Sequence, residues 1–224
     1  MGSSRRLADE LRERLRKNGP VLDAPRTSLV FSRPMAAVFQ STINCLCSRA
    51  SRIASSAGIA RASAAWHFAS LADSGYVDVW KTSLGVHYSP GRLVCEPRMA
   101  EDLAFLLSRS ARGTLRSVLE GPGKSARELH SGSLRRLGER GFLRMQRDGR
   151  HSRWYPGERL DALNDVVENG RKEFLARLIS LLERDGVPHS ISEVRPTVTV
   201  VFKSPGTEAT LSIPKEMLPY ALLN

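Results

Sequence analysis

The stretch Ser51–Val77, SRIASSAGIARASAAWHFASLADSGYV, limits what this chain can fold into more than any other. It reads as two short helices joined by a tight turn. Ser51 is the expected N-cap of the first. Ile53, Ala54 and Ala57 share one face at helical spacing. Gly58 follows, the residue type that tolerates a positive φ at a helix end, and Ile59 plugs the corner. Ala64, Phe68 and Leu71 then mark the buried face of a second helix, which Gly75 ends. Beyond it the period switches to two. Val77 and Val79 precede a polar tip at 81–85, and Val86 and Tyr88 follow it, as in a small β-hairpin.

Helix, turn, helix and hairpin is the layout of a winged helix-turn-helix. The stretch resembles the DNA-binding core of prokaryotic, above all archaeal, winged-helix transcription regulators of the ArsR/MarR-like group. The residues that carry the resemblance are Ala65, Trp66-His67-Phe68, Leu71 and the close Gly75-Tyr76-Val77. It covers roughly residues 33–90. It implies that the front of the second helix enters the major groove, and that a homodimer sets two such helices in successive grooves.

Charge fits a polyanion partner. The net charge is +11, with balances of +4 over residues 1–33, +3 over 34–95, +6 over 96–160 and −2 over 161–224. A basic body with a mildly acidic tail suits a nucleic-acid-binding part joined to a non-binding part. Arg far outnumbers Lys, so an arginine-rich solvated surface is the bland alternative. No apolar run approaches the about 20 residues that span a membrane, and the basic N-terminus lacks an apolar signal core. The expected location is the cytoplasm, on the nucleoid. Three cysteines, Cys45, Cys47 and Cys95, give no disulfide framework. Metal-sensing members of the ArsR group carry a C-x-C pair on the first helix of the helix-turn-helix. Here Cys45-Leu46-Cys47 falls about one turn earlier and lacks further ligands, so core packing is expected and no metal or cofactor.

The expected fold class is mainly α with small β-hairpins (α+β), in four parts. Residues 1–32 hold a basic amphipathic helix (4–17, with Leu7, Leu11 and Leu15 as its stripe) and a linker with one short strand, Ser28 to Phe31. Residues 33–95 form the first winged unit, entered by a helix over 34–47 with Pro34 in its first turn and Met35, Val38, Phe39, Ile43 and Leu46 buried. Residues 96–158 form a degenerate second unit, and residues 159–224 a long helix and a β-hairpin for dimerisation or effector binding. The second unit rests on an internal repeat. At an offset of 76, Phe39 pairs with Leu115, Ile43 with Leu119 and Ile53 with Leu129. At 66, Phe68 pairs with Leu134, Leu71 with Leu137, Gly75 with Gly141 and Tyr76-Val77 with Phe142-Leu143; Tyr88 meets Tyr155 after one more residue of slip. The missing ten residues are read as the turn and the front of the recognition helix. A break is expected near Gly113 and a kink or split at Asn169-Gly170. The helix half FLARLISLLERDG offers an apolar face to a partner subunit or to its own chain. Strands are expected over 194–202 and 209–213.

No P-loop, G-x-G-x-x-G, H-E-x-x-H or G-x-S-x-G is present, and no carboxylate pair sits in an apolar setting, so no enzyme is expected. The expected function is binding of double-stranded DNA as a transcription regulator, by a homodimer with no membrane role. Arg61 and Ser63 open the recognition helix, with Ala65, Trp66 and Ala69 facing outward after them. Lys81, Thr82 and His87 belong to the first hairpin. Arg144, Arg147, Arg150 and Arg153 surround the Asp148-Gly149 turn of the second, placed to lie on phosphates or in a minor groove. Arg5 and Arg6 add sequence-independent affinity. Because Ala62, Ala65 and Ala69 stand where family members often carry Arg, Lys, Gln or Asn, the helix is expected to orient more than to discriminate bases. The alternatives are a tandem winged-helix protein scaffold and a non-specific chromatin protein.

Overall fold

A computed structural model describes residues 31–129, 131–194, 196–204 and 207–223. The helix expected over 4–17, Arg5 and Arg6, most of the strand at 28–31 and the turn residues 205–206 lie outside these. Among the described residues the fold is α+β, with eight helices and three small antiparallel sheets.

Ser32 starts α1 (Arg33–Cys45): its hydroxyl accepts from the Met35 amide at 3.3 Å, and Pro34 occupies the first turn, where its missing N–H costs nothing. Met35, Val38, Phe39 and Ile43 form the buried stripe, as their spacing predicts. Ser48 then exchanges two backbone hydrogen bonds with Tyr88 (3.1 and 2.8 Å). α2 (Ala50–Ser56) begins at Arg49, two residues before the expected Ser51 cap, with no side chain capping it. Gly58 adopts φ +67° and turns the chain into α3 (Arg61–Asp73), whose Ala64, Phe68 and Leu71 are fully buried. β1 (Val77–Thr82) and β2 (Gly85–Pro90) follow as a hairpin.

α4 (Pro97–Leu106) leads to a second set of elements. The expected break near Gly113 falls instead at Leu107-Ser108, where Ser108 becomes the N-cap of an unbroken α5 (Arg109–Glu120). β3 (Lys124–Ser125), α6 (Ser131–Glu139), β4 (Leu143–Asp148) and β5 (His151–Pro156) complete the set. Local geometry recurs with them. Lys124 pairs with Trp154 as Ser48 pairs with Tyr88, at offsets of 76 and 66. Leu143 pairs with Pro156 as Val77 pairs with Pro90. The offset of 66 therefore holds to the hairpin's end, and Tyr88 corresponds to Trp154, not to Tyr155. Gly75 (φ +80°) and Gly141 (φ +75°) end α3 and α6 alike. Gly91 and Gly157 donate to the Tyr76 and Phe142 carbonyls, each at 2.9 Å. The shortening also differs from expectation. No helix stands between α5 and α6 among the described residues, and α6 begins four residues later than the start of α3 at an offset of 66 would place it.

α7 (Glu158–Arg184) is a single helix of 27 residues, neither split nor capped at Asn169-Gly170. It buries Phe174, Leu178, Leu181 and Leu182 within its own chain. The tail forms three strands, not two: β6 (His189–Val194), β7 (Thr197–Ser204) and β8 (Thr207–Pro214), in the order β6-β7-β8. β8 lies along α1, where the Gln40 amide mimics a neighbouring strand by accepting from the Ser212 N–H (2.7 Å) and donating to its carbonyl (2.9 Å). A short α8 (Met217–Leu223), which no sequence signal announced, buries Met217, Leu218, Ala221 and Leu222. The buried apolar side chains of the described residues form one continuous cluster, from Phe31 to Leu222.

Candidate nucleic-acid interface

α3 has two faces. Ala64, His67, Phe68 and Leu71 turn inward, while Arg61, Ala62, Ser63, Ala65 and Trp66 are exposed, Trp66 by 54%. Ala69 is buried at 6%, which corrects its expected outward position. No side chain caps α3 at Ala60, and no acid stands in its first turn. Its first amides and the positive end of its dipole therefore point outward beside Arg61, an arrangement that favours a phosphate.

The first hairpin is clamped. Its Ser83 tip donates its N–H to Glu101 of α4 at 2.8 Å, and the Ser83 hydroxyl bonds the same carboxylate. These two bonds hold the Glu101 carboxyl below its ordinary range. The Arg49 guanidinium donates to the Leu84 carbonyl from the other side. Under this clamp His87 is only 3% exposed, its Nδ1 within 3.1 Å of the Gly85 carbonyl and 3.2 Å of the Thr82 hydroxyl. His87 and Thr82 thus hold the hairpin together instead of facing outward as expected. Lys81 keeps its exposed position.

The second hairpin stands free. β1 is mostly half-buried, whereas β4 is exposed from Arg144 to its end. The cause lies in the chain that follows each. Six residues separate Pro90 from Pro97, which lets α4 turn back over β1, whereas α7 begins two residues after Pro156 and leaves β4 bare. Arg147 and Arg150 flank the tip at Gly149, where φ is +57°. Arg153 is committed inside the chain: it donates to the Gly123 carbonyl at 2.9 Å and pairs with Asp148 at 3.2 Å. Arg144 sits at the hairpin's base and lines a cleft there.

Asp102 of α4, 11% exposed, ties that helix to the end of α6 and the start of α7: it pairs with Arg159 at 2.6 Å and Arg140 at 3.5 Å. Sequence spacing did not single out Glu101, Arg49 or Asp102, because each acts on a partner far along the chain. Cys47 is a core thiol: its Sγ donates to the Ala100 carbonyl at 3.6 Å, and burial pushes its pKa up to about 12. No group of three metal-ligating side chains occurs among the described residues, and no described helix is long and apolar enough to cross a membrane.

Burial holds both His67 and His87 below the ordinary imidazole range, and the His67 Nδ1 has no partner among the described residues. The unfolded chain therefore binds more protons than the folded one below pH about 6.5. The stability these residues contribute is complete above that pH and is lost as pH falls through their folded pKa values. We expect the midpoint of thermal unfolding to drop between pH about 7 and about 5, and His87→Gln to flatten that dependence. Calorimetry across this range is the check; an unchanged slope in His87→Gln would show that His87 is not buried neutral.

Compared with family models, curated proteins and solved structures, the chain has no match.

Proposed function

We propose that the chain is a double-stranded DNA-binding transcription regulator, built from two winged-helix units in tandem and acting as a homodimer. The observation that carries this reading is α3, an uncapped helix whose exposed face offers Arg61, Ser63, Ala65 and Trp66 beside a hairpin. In this reading α3 enters the major groove, its first turn meets a phosphate, and Lys81 follows the backbone. The freestanding second hairpin adds Arg147 and Arg150. Small residues on α3 touch thymine methyls but make no bidentate base contact, so DNA shape carries much of the specificity. The apolar face of α7 is used inside the chain, so the dimer contact lies elsewhere; light scattering on the full chain tests for it.

The deciding experiment is fluorescence anisotropy of the full chain with duplex DNA at several salt concentrations. With four or five phosphates neutralised, affinity falls roughly 10²-fold between about 50 and about 200 mM salt. No binding, or binding indifferent to salt, rejects this reading in favour of a protein scaffold. Equal affinity for every member of a random duplex pool identifies a non-specific chromatin protein.

A further inference from the structure

β6 is the edge of the C-terminal sheet: β7 lies on one side of it, and no strand lies on the other among the described residues. The Pro188 carbonyl accepts from the Lys203 N–H at 2.9 Å, which fixes the phase of the ladder. With His189 opposite Phe202 and Ile191 opposite Val200, Ser190 and Ser192 turn their backbone groups to β7. The N–H and C=O groups of His189, Ile191 and Glu193 therefore point to the open edge.

Direct partners across two strands share one face of the sheet. His189, Ile191 and Glu193 stand on the side of Phe202, Val200 and Val198, which is the buried side. Val200 is fully buried, whereas Ile191 beside it is 46% exposed, so the apolar cover stops between β7 and β6. Edge strands that are guarded against pairing carry lysine or proline, or break their register with a bulge. β6 has none of these and pairs with β7 in unbroken register.

Its sequence, His189-Ser-Ile-Ser-Glu193, is complementary to itself when run antiparallel. Centred on Ile191, a second copy sets Ile191 against Ile191, Ser190 against Ser192, and His189 against Glu193, a base against an acid. The same register joins the outward backbone groups. Ile191 exchanges N–H···O=C bonds with its counterpart, and His189 does so with Glu193 of the second copy. Sliding either strand by two residues puts Ile191 against Glu193 or His189 instead. Lys215 of the same chain bonds Glu193 Oε1, and a carboxylate accepts from further donors as well.

We propose that β6 pairs with β6 of a second copy of this chain, antiparallel about Ile191, to make one continuous sheet. The inference rests on the homodimer reading above and names its contact. One strand pair buries less than a standard-size interface, so the free dimer is weak, and two half-sites on one duplex strengthen it through effective concentration.

Sedimentation equilibrium of the full chain is the test. We expect a Kd on the order of 10 µM for so small a contact. Ile191→Pro removes an N–H that the chain's own ladder does not use, at a place where an edge strand tolerates proline. That variant should keep the parent's circular dichroism and weaken self-association at least about tenfold, and Ile191→Val should associate like the parent. His189→Glu and Glu193→Lys each set like charges opposite one another and should weaken self-association about as much. Mixed in equal amounts, these two variants should associate near the parental affinity, because each supplies the charge that the other lacks. A merely structural loss would not be rescued by mixing. A parent that stays monomeric overturns the proposal; protection of its Ile191 amide from exchange would then assign the edge to another segment of the same chain. Association retained in Ile191→Pro overturns it too and leaves the homodimer on another contact, as does failure of the mixture to recover. Duplex binding is measured separately by anisotropy. A dimer that binds no DNA removes the regulator reading alone, and a parent that binds DNA only as a monomer removes this contact alone.

Discussion

Replacing Arg147 and Arg150 together by alanine is expected to weaken duplex binding about 10²-fold at low salt, since each charge-assisted contact is worth roughly 1.5–3 kcal/mol. The plot of log affinity against log salt should flatten by about 2, because two phosphate contacts each add close to one to that slope. The loss should be similar for every duplex sequence, as backbone contacts carry no base information. Both residues are exposed at a hairpin tip, so the variant should unfold at nearly the temperature of the parent. Arg153→Ala provides the contrast. Its guanidinium ties β5 to the Gly123 carbonyl, so its removal should lower the unfolding temperature by a few degrees and leave the salt slope unchanged. Anisotropy titrations at four salt concentrations separate the two variants. A parent slope retained in the double variant removes the second hairpin from the interface and leaves α3 to account for binding alone.

The distinction between these arginines marks what was legible in the residues. Helix faces were legible because periodicity is local: Met35, Val38 and Phe39, or Ala64, Phe68 and Leu71, declare one side of a helix without any knowledge of what covers it. The glycine ends of α3 and α6 were legible for the same reason, since Gly75 and Gly141 answer the same local demand for a positive φ. Long-range partners leave no such trace. Arg153 and Arg150 look alike in sequence, yet one is consumed by a carbonyl 30 residues away. His87 alternates correctly for an outward residue, and only the return of α4 across the hairpin buries it. Ala69 misled because a methyl group carries no signal of side. β6 was missed because His189-Ser-Ile-Ser-Glu lacks the alternation that a buried face would impose, and most of its residues are exposed. α8 escaped because Pro214 reads as a stop, while seven residues are too few to show a period.

Gly170 carries the same lesson to a measurable consequence. Within an exposed helix, Gly→Ala stabilises by about 1 kcal/mol, because alanine loses less backbone freedom on folding. By that rule Gly170→Ala strengthens α7. The structure reverses the sign: a Cβ at Gly170 collides with the Leu93 carbonyl oxygen and reaches the Leu93 Cα at 3.4 Å. These are backbone atoms, so no rotamer change relieves the overlap, and overpacking of this kind costs about 3 kcal/mol. The net loss of about 2 kcal/mol should lower the unfolding midpoint by roughly 4–8 °C for a chain of this size. Gly113→Ala is the matched control, because a Cβ in that helix meets nothing within 4 Å and should stabilise by up to about 1 kcal/mol. The contact also matters for assembly. α7 starts at the second hairpin and crosses Leu93, just past the first, so Gly170 sets the distance between the two hairpins. Gly170→Ala should therefore shift the spacing of half-contacts on DNA, read as lower affinity for a long duplex with little change for one too short to reach both hairpins. A variant that melts higher than the parent would mean that α7 does not rest on the Leu93 backbone, and that the two units are not held at a fixed separation.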